Sequence, residues 1–345
     1  MAIQMACKTI SNLVNRNRIN QSFSYSDQKL DIGTLQSDMR RNSMIKLDQL
    51  SATVLRNALS FTGKLQMVRP AKDIDEHGFE EGPDEHKPGV LIASGLDSRY
   101  VAYFDPLDGS GNADAAICTG TVFGIFESAK NGEEEDEGVD DVVVGGGDGS
   151  YTGSIGDNVM VEAVLQPAKN LRAAGYCLYS SATILVFSLG DGTHGFTLDP
   201  RVGEFVMTHP NIRIPSRGNI YSCNEANSVG WSDNVRNFIR ALKTGTCVTG
   251  EKYALRYIGS FVGDIHRTLM YGGIFLYPSD TVGHPKGNMQ LLYKSSPLAF
   301  LVEQAGGKST NGEMSLLDIT PKRVHEKSPC FIGSRDDIDE LQTYI

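Results

Sequence analysis

No two of the six cysteines stand in CxxC spacing. Cys7, Cys118, Cys177, Cys223, Cys247 and Cys330 are scattered along the chain, which argues against a zinc ribbon or a disulfide framework. They read as reduced, mostly buried thiols of an intracellular protein. No apolar run approaches the ~20 residues of a membrane span, so no membrane partner is expected. Positive charge is short: 32 Lys and Arg face 42 Asp and Glu, a net charge of −10. Without a basic stripe, a nucleic-acid partner is not expected. A small anionic substrate would need local cations or a metal to offset the overall sign. No internal repeat is visible. The start, "AIQMACKTISNLVNR", has apolar residues at helical spacing and runs straight into folded-looking sequence, so no targeting segment is expected within this sequence.

What is present describes a soluble globular protein: 345 residues, 40% hydrophobic and 21% charged, enough for one large domain or two sharing an interface. Apolar residues at helical spacing predict a helix through Ile3–Val14 and another through Leu47–Ala58. Residues 64–88 and the acidic, glycine-rich stretch from Ser128 read as loops. Short strands are expected at "GVLIAS", "RYVAYFD", "TGTVFGIF", "CLYSSATILVFSLG", "HGFTLDP", "EFVMTH", "GGIFLYP" and "MQLLYK". Helices are expected at "NVRNFIRALK" and "PLAFLVEQAGG". Strands alternating with helices give a layered α/β protein.

The stretch with most chemistry is "FDPLDGSGN", Phe104–Asn112. A strand ending at Phe104 delivers Asp105 and Asp108 to a turn, where the two carboxylates suit a hard divalent cation such as Mg²⁺. Gly109 and Ser110 follow with backbone N–H groups for a phosphate oxygen. The alternative for this stretch alone is an Asp-rich turn with capping roles.

"FDPLDGSGN" resembles the "DPLDGSSN" signature of the fructose-1,6-bisphosphatase family. "AAGYCLYSSATILV", "FTLDPRVGEFVMTH", "YALRYIGSFVGDIHRTLMYGGIFLYP" and "LAFLVEQAGGKST" resemble that family too, in its order. The resemblance implies the layered α-β-α-β-α sugar-phosphatase fold in two tightly joined halves, set at 1–199 and 200–345. It also implies a homotetramer and Mg²⁺-dependent hydrolysis of the 1-phosphate of fructose 1,6-bisphosphate; a hetero-oligomer with an active paralogue is the assembly expected of a non-catalytic relative. Sedoheptulose 1,7-bisphosphate is the alternative substrate. Through the resemblance Asp105, Asp108 and the Leu107 carbonyl are metal ligands, and Asp48 orients the attacking water. Gly109 and Ser110 cradle the 1-phosphate. Asn224, Arg256, Tyr257 and Tyr277 hold the 6-phosphate, and Gly259 and Ser260 lie beside the sugar. Since both plastid and cytoplasmic forms exist in the family, either compartment is expected.

The chain also departs from the pattern. Gly95 and Leu96 replace a glutamate pair, Asn42 replaces an acid, and Lys294 stands where a ligating glutamate belongs. Asn288 replaces a phosphate-gripping lysine and Gln290 an arginine. Asp97 or Glu80 and Glu81 are the candidate substitutes for the lost ligands. Lys294 is expected to take the metal's position and pair with the two aspartates, which makes a non-catalytic relative the rival reading.

Overall fold

In the computed structural model the described residues are 1–17, 47–61, 67–70, 91–94, 100–127 and 163–345. They form five layers, helices alternating with sheets. The first sheet has eight strands in sequence order, each antiparallel to the next: β1 (Met67–Pro70), β2 (Leu91–Ser94), β3 (Tyr100–Asp108), β4 (Thr119–Glu127), β5 (Leu171–Tyr179), β6 (Thr183–Ser188), β7 (Thr193–Asp199) and β8 (Glu204–Ile212). β1 falls inside the segment read as a loop. β8 hydrogen-bonds to β7, so the first sheet continues past the division drawn at residue 199.

Alternation along the strands gives this sheet two faces, and each is covered. On one side lie α1 (Ala2–Asn15) and α2 (47–60). Their Ala6, Cys7, Ile10, Leu47, Leu55 and Leu59 pack on Phe104, Phe123, Cys177 and Leu185. Both helices were legible as apolar stripes. The opposite face, with Val101, Tyr103, Val122, Tyr176 and Val186, meets α4 (Phe261–Tyr271) and α5 (Ser296–Gln304).

Beyond those helices stands the second sheet, ordered β10 (Ala254–Leu255), β9 (Ile220–Ser222), β11 (Ile274–Tyr277), β15 (Cys330–Gly333), β13 (Lys308–Thr310). Its outer face packs Tyr221, Ile274, Leu276 and Phe331 against α3 (Asp233–Thr244) and α6 (Arg335–Gln342). α3 starts where Ser232 accepts a hydrogen bond from the Val235 N–H and stops at Gly245, whose φ of 76° only glycine adopts readily. The expected α-β-α-β-α layering is what the chain forms.

The "MQLLYK" segment is not the strand expected. Only Met289–Gln290 (β12) pair with a neighbour, Lys327–Ser328 (β14). Leu291–Ser295 then widen into a π turn that leads into α5. No helix among the described residues is long and apolar enough to cross a membrane.

Candidate active site

Asp105 and Asp108 lie within β3 rather than beyond its end. Residues three apart on a regular strand face opposite sides of the sheet. Here Asp105 pairs with Val122 and Asp108 with Gly120, so three steps on β3 span two on β4. That bulge restores a common side for the two acids. Pro106, which has no N–H to give a ladder, falls inside it, and the carbonyl of Pro106 accepts instead from the Thr121 hydroxyl at 2.8 Å. The sheet is antiparallel, so the rule that ligands bind at the carboxyl ends of parallel strands does not apply to it. The bulge places the acids.

Both carboxylates are buried, Asp105 fully and Asp108 at 3% exposure. Asp108 Oδ2 accepts the Val262 N–H at 3.2 Å, one of the free amides of the first turn of α4. α4 can approach this closely because Gly120 lies beneath it, and a Cβ there would meet Val262 Cγ1 at 2.8 Å. Asp108 Oδ1 accepts from Lys294 Nζ at 2.7 Å, and the same ammonium stands 3.4 Å from Asp105 Oδ2. Neither Asp105 oxygen has a well-formed hydrogen bond among the described residues. Burial raises the Asp105 carboxyl above the usual range, and Lys294 opposes that shift. Burial works against the Lys294 ammonium as well, but Asp108 and then Asp105 outweigh it and hold the amine above the ordinary lysine range. Lys294 is charged, and it lies between the two acids.

Lys294 comes from the π turn, a local geometry that re-aims one side chain within a helix start. Leu291, Leu292 and Tyr293 of the turn are buried, and the Tyr293 hydroxyl meets His325 Nδ1 at 3.0 Å. The lysine is carried on a fixed backbone.

Asp48, on α2, accepts from the Ser110 hydroxyl at 3.0 Å. Burial raises its carboxyl to about 7; the Ser110 bond and Lys294 pull it down, while Asp105 and Asp108 push it up. Gly109 turns the chain at φ 72° and a Cβ there would sit 3.4 Å from Ser260 Oγ. Asn112 Nδ2 donates to the Gly259 carbonyl at 2.9 Å. The 109–112 turn thus faces the 259–262 segment directly, which brings Asp48, Asp105, Asp108, Gly109, Ser110, Gly259, Ser260 and Lys294 together.

The turn at 256–260 has an anchor that sequence reading missed. Asp264, fully buried, accepts from the N–H groups of Ile258 (3.0 and 3.1 Å) and Gly259 (3.1 Å), from Ser222 Oγ (2.9 Å) and from Arg267 (2.7 Å). The available signal was an acid in the first turn of a helix inside "GSFVGDIHR". Of the residues expected to hold a distal phosphate, Arg256 is exposed and donates to the Leu255 carbonyl at 2.9 Å. Tyr257 is 39% exposed, with a phenol raised to about 12 by burial and by the nearby Tyr277. Asn224 caps the short helix Glu225–Gly230 by accepting from Ala226 N at 3.3 Å. Asn288 accepts from Lys327 Nζ at 2.7 Å, so an ammonium from β14 stands beside the position that lost its lysine.

The described residues do not fit a divalent ion. Among them no group of three His, Cys, Asp or Glu side chains is arranged to hold one. Asp105 and Asp108, the acid pair of this cleft, are already bridged by an ammonium. A 2+ ion about 4 Å from that amine would meet repulsion of about 8 kcal/mol at an effective dielectric near 20. Asn42, Glu80, Glu81, Gly95, Leu96 and Asp97 lie outside the described residues.

Two family descriptions match the chain end to end. "Fructose-1-6-bisphosphatase, N-terminal domain" covers residues 1–210 and "Fructose-1-6-bisphosphatase, C-terminal domain" covers 214–345. The chain is 40% identical to the chloroplastic fructose-1,6-bisphosphatase of Brassica napus over 344 residues, covering 100% of this chain and 75% of that one. It is 37% identical to the cytosolic fructose-1,6-bisphosphatase of Oryza coarctata, covering 99% and 85%. The holo-form crystal structure of Leishmania major fructose-1,6-bisphosphatase superposes with a TM-score of 0.76 at 32% identity, covering 100% of this chain and 91% of that one. With both halves matched and the layered architecture shared, the chain belongs to the fructose-1,6-bisphosphatase family.

Proposed function

We propose that the cleft between the 105–112 and 256–264 segments takes fructose 1,6-bisphosphate and that its reaction is hydrolysis of the 1-phosphate. The observation that carries this reading is full-length family membership, with the 1-phosphate residues named from sequence converging in one place. In that reaction water oxygen bonds to phosphorus, the bond from phosphorus to the C1 oxygen breaks, and that oxygen ends protonated, leaving fructose 6-phosphate and inorganic phosphate. Asp48, beside Ser110 and with a carboxyl near 7, is placed to orient the water and take its proton. Gly109 and Ser110 hold the 1-phosphate, Gly259 and Ser260 the sugar. Asn224, Arg256, Tyr257 and Tyr277 hold the 6-phosphate, with Lys327 as a further cation there. The family reading brings Mg²⁺ with Asp105, Asp108 and the Leu107 carbonyl as expected ligands, but with Lys294 between the two acids the described residues do not fit the ion. The coarser expectations from relatives are a divalent metal, an oligomer and either a plastid or cytosolic setting.

Phosphate release from fructose 1,6-bisphosphate, measured with and without Mg²⁺, tests the proposal. Turnover supports it, and background rates in both buffers sink it. A second reading has its own observation, the Lys294–Asp108 pair at 2.7 Å. It is a relative that binds sugar phosphate without turning it over, alone or assembled with an active paralogue. Binding without phosphate release is its signature.

A further inference from the structure

Three features of the acid pair belong together. Asp108 has both oxygens engaged, one by Lys294 and one by the Val262 amide. Asp105 is fully buried with no well-formed hydrogen bond among the described residues, and Lys294 is the ammonium beside it. Lys294 is 15% exposed and rises from a turn whose neighbouring side chains are buried, so the backbone that carries it is held in place. A buried carboxylate pair needs a positive partner, and two hard oxygen donors suit a divalent ion in that role. Here the chain supplies it covalently.

We infer that Lys294 is the resident cation of this site, standing between Asp105 and Asp108 in place of a divalent ion, and that the cleft takes its phosphorylated sugar without added metal. This rests on the proposed ligand for its second half only. A covalently attached ammonium cannot be stripped by a chelator and cannot exchange with Mg²⁺. It carries one charge where an ion carries two, so the site gives up part of its pull on phosphate and gains indifference to metal supply.

Calorimetric titration of the full chain with fructose 1,6-bisphosphate, in EDTA and in excess Mg²⁺, tests the ligand half. The two Kd values are expected to agree within about twofold. Binding that needs Mg²⁺ overturns the inference. No heat in either buffer removes the proposed ligand, and a second arm then decides the cation question without it. Mn²⁺ alone is titrated into the wild-type chain and into Lys294→Glu, and free Mn²⁺ is followed by its electron spin resonance. The wild-type chain is expected to take up none, and the variant to bind about tenfold or more tighter than any wild-type uptake. Wild-type uptake equal to the variant's overturns the inference. If Lys294→Glu does not fold by circular dichroism, Lys294→Gln replaces it, and the wild-type arm decides by itself: uptake overturns the inference and none supports it.

Discussion

Replacing Asp264 by asparagine tests how the 256–260 turn is held. The carboxylate is fully buried and takes five hydrogen bonds from four donors: the Ile258 amide on both oxygens, the Gly259 amide, Ser222 Oγ and Arg267. An amide of the same shape keeps one acceptor oxygen. If it faces Ser222 and Arg267, its NH₂ group points at the Gly259 amide, donor against donor. If it is flipped, it faces the Arg267 guanidinium instead. Either way at least one buried N–H loses its partner, at about 1–3 kcal/mol, and the Arg267 pair becomes a charged group against a neutral one, about 1.5–3 kcal/mol more. The expected loss is therefore about 2.5–6 kcal/mol of unfolding free energy. Urea denaturation of wild type and Asp264→Asn, with amide exchange at Ile258 and Gly259, measures it. Both amides should exchange faster in the variant, because the turn would open more often. A loss below about 1 kcal/mol, with unchanged protection at 258 and 259, would refute the view that Asp264 anchors the turn.

Other expectations concern separate parts of the molecule. Burial holds His266 down to about 4 from 6.5, with Nδ1 2.7 Å from the Tyr176 hydroxyl. Between those pH values the unfolded chain binds a proton that the folded chain refuses, so stability should fall with falling pH by about 1.4 kcal/mol per unit. His266→Gln should lack that slope, and parallel urea midpoints at pH 7 and pH 5 would count against it. The Tyr103 hydroxyl is buried with no hydrogen-bond partner among the described residues, so Tyr103→Phe should leave the melting temperature unchanged or raise it. Gly124→Ala would place a Cβ 2.2 Å from that hydroxyl and should destabilise by about 1–3 kcal/mol in chemical denaturation. Lys327→Met should weaken fructose 1,6-bisphosphate binding severalfold by calorimetry with no change in fold, and an unchanged Kd would remove Lys327 from the 6-phosphate end.

Much of the architecture was legible because it depends on local pattern. The stripe of Ile3, Ile10 and Leu13 made α1, and the β-branched run at 119–126 made β4. The charge reversal at 294 was legible as well, since a lysine among expected carboxylates changes the electrostatics wherever it points. What escaped were features set by partners distant in sequence or by backbone count. Val262 reaches Asp108 across 154 positions, and nothing in "GSFVGDIHR" alone shows that its amides turn toward β3. The short strand Met67–Pro70 exists through pairing with Leu91–Ser94, which composition does not reveal. "MQLLYK" carries strand-like apolar residues, yet only its first two pair, because the chain must already begin the turn that aims Lys294.

The surplus position between Asp105 and Asp108 makes this centre sensitive to chain length in a way that it is not to side-chain identity. Adding one position to β4 between Gly120 and Val122 would let β3 and β4 run in even step. The second acid would then rotate to the α2 side, away from the ammonium that neutralises it, while every remaining pairing of the two strands could persist. A protein with that insertion would keep its sheet and lose its charge balance, so a lengthening of β4 here should be tolerated far less than exchanges of Leu107 for another apolar residue.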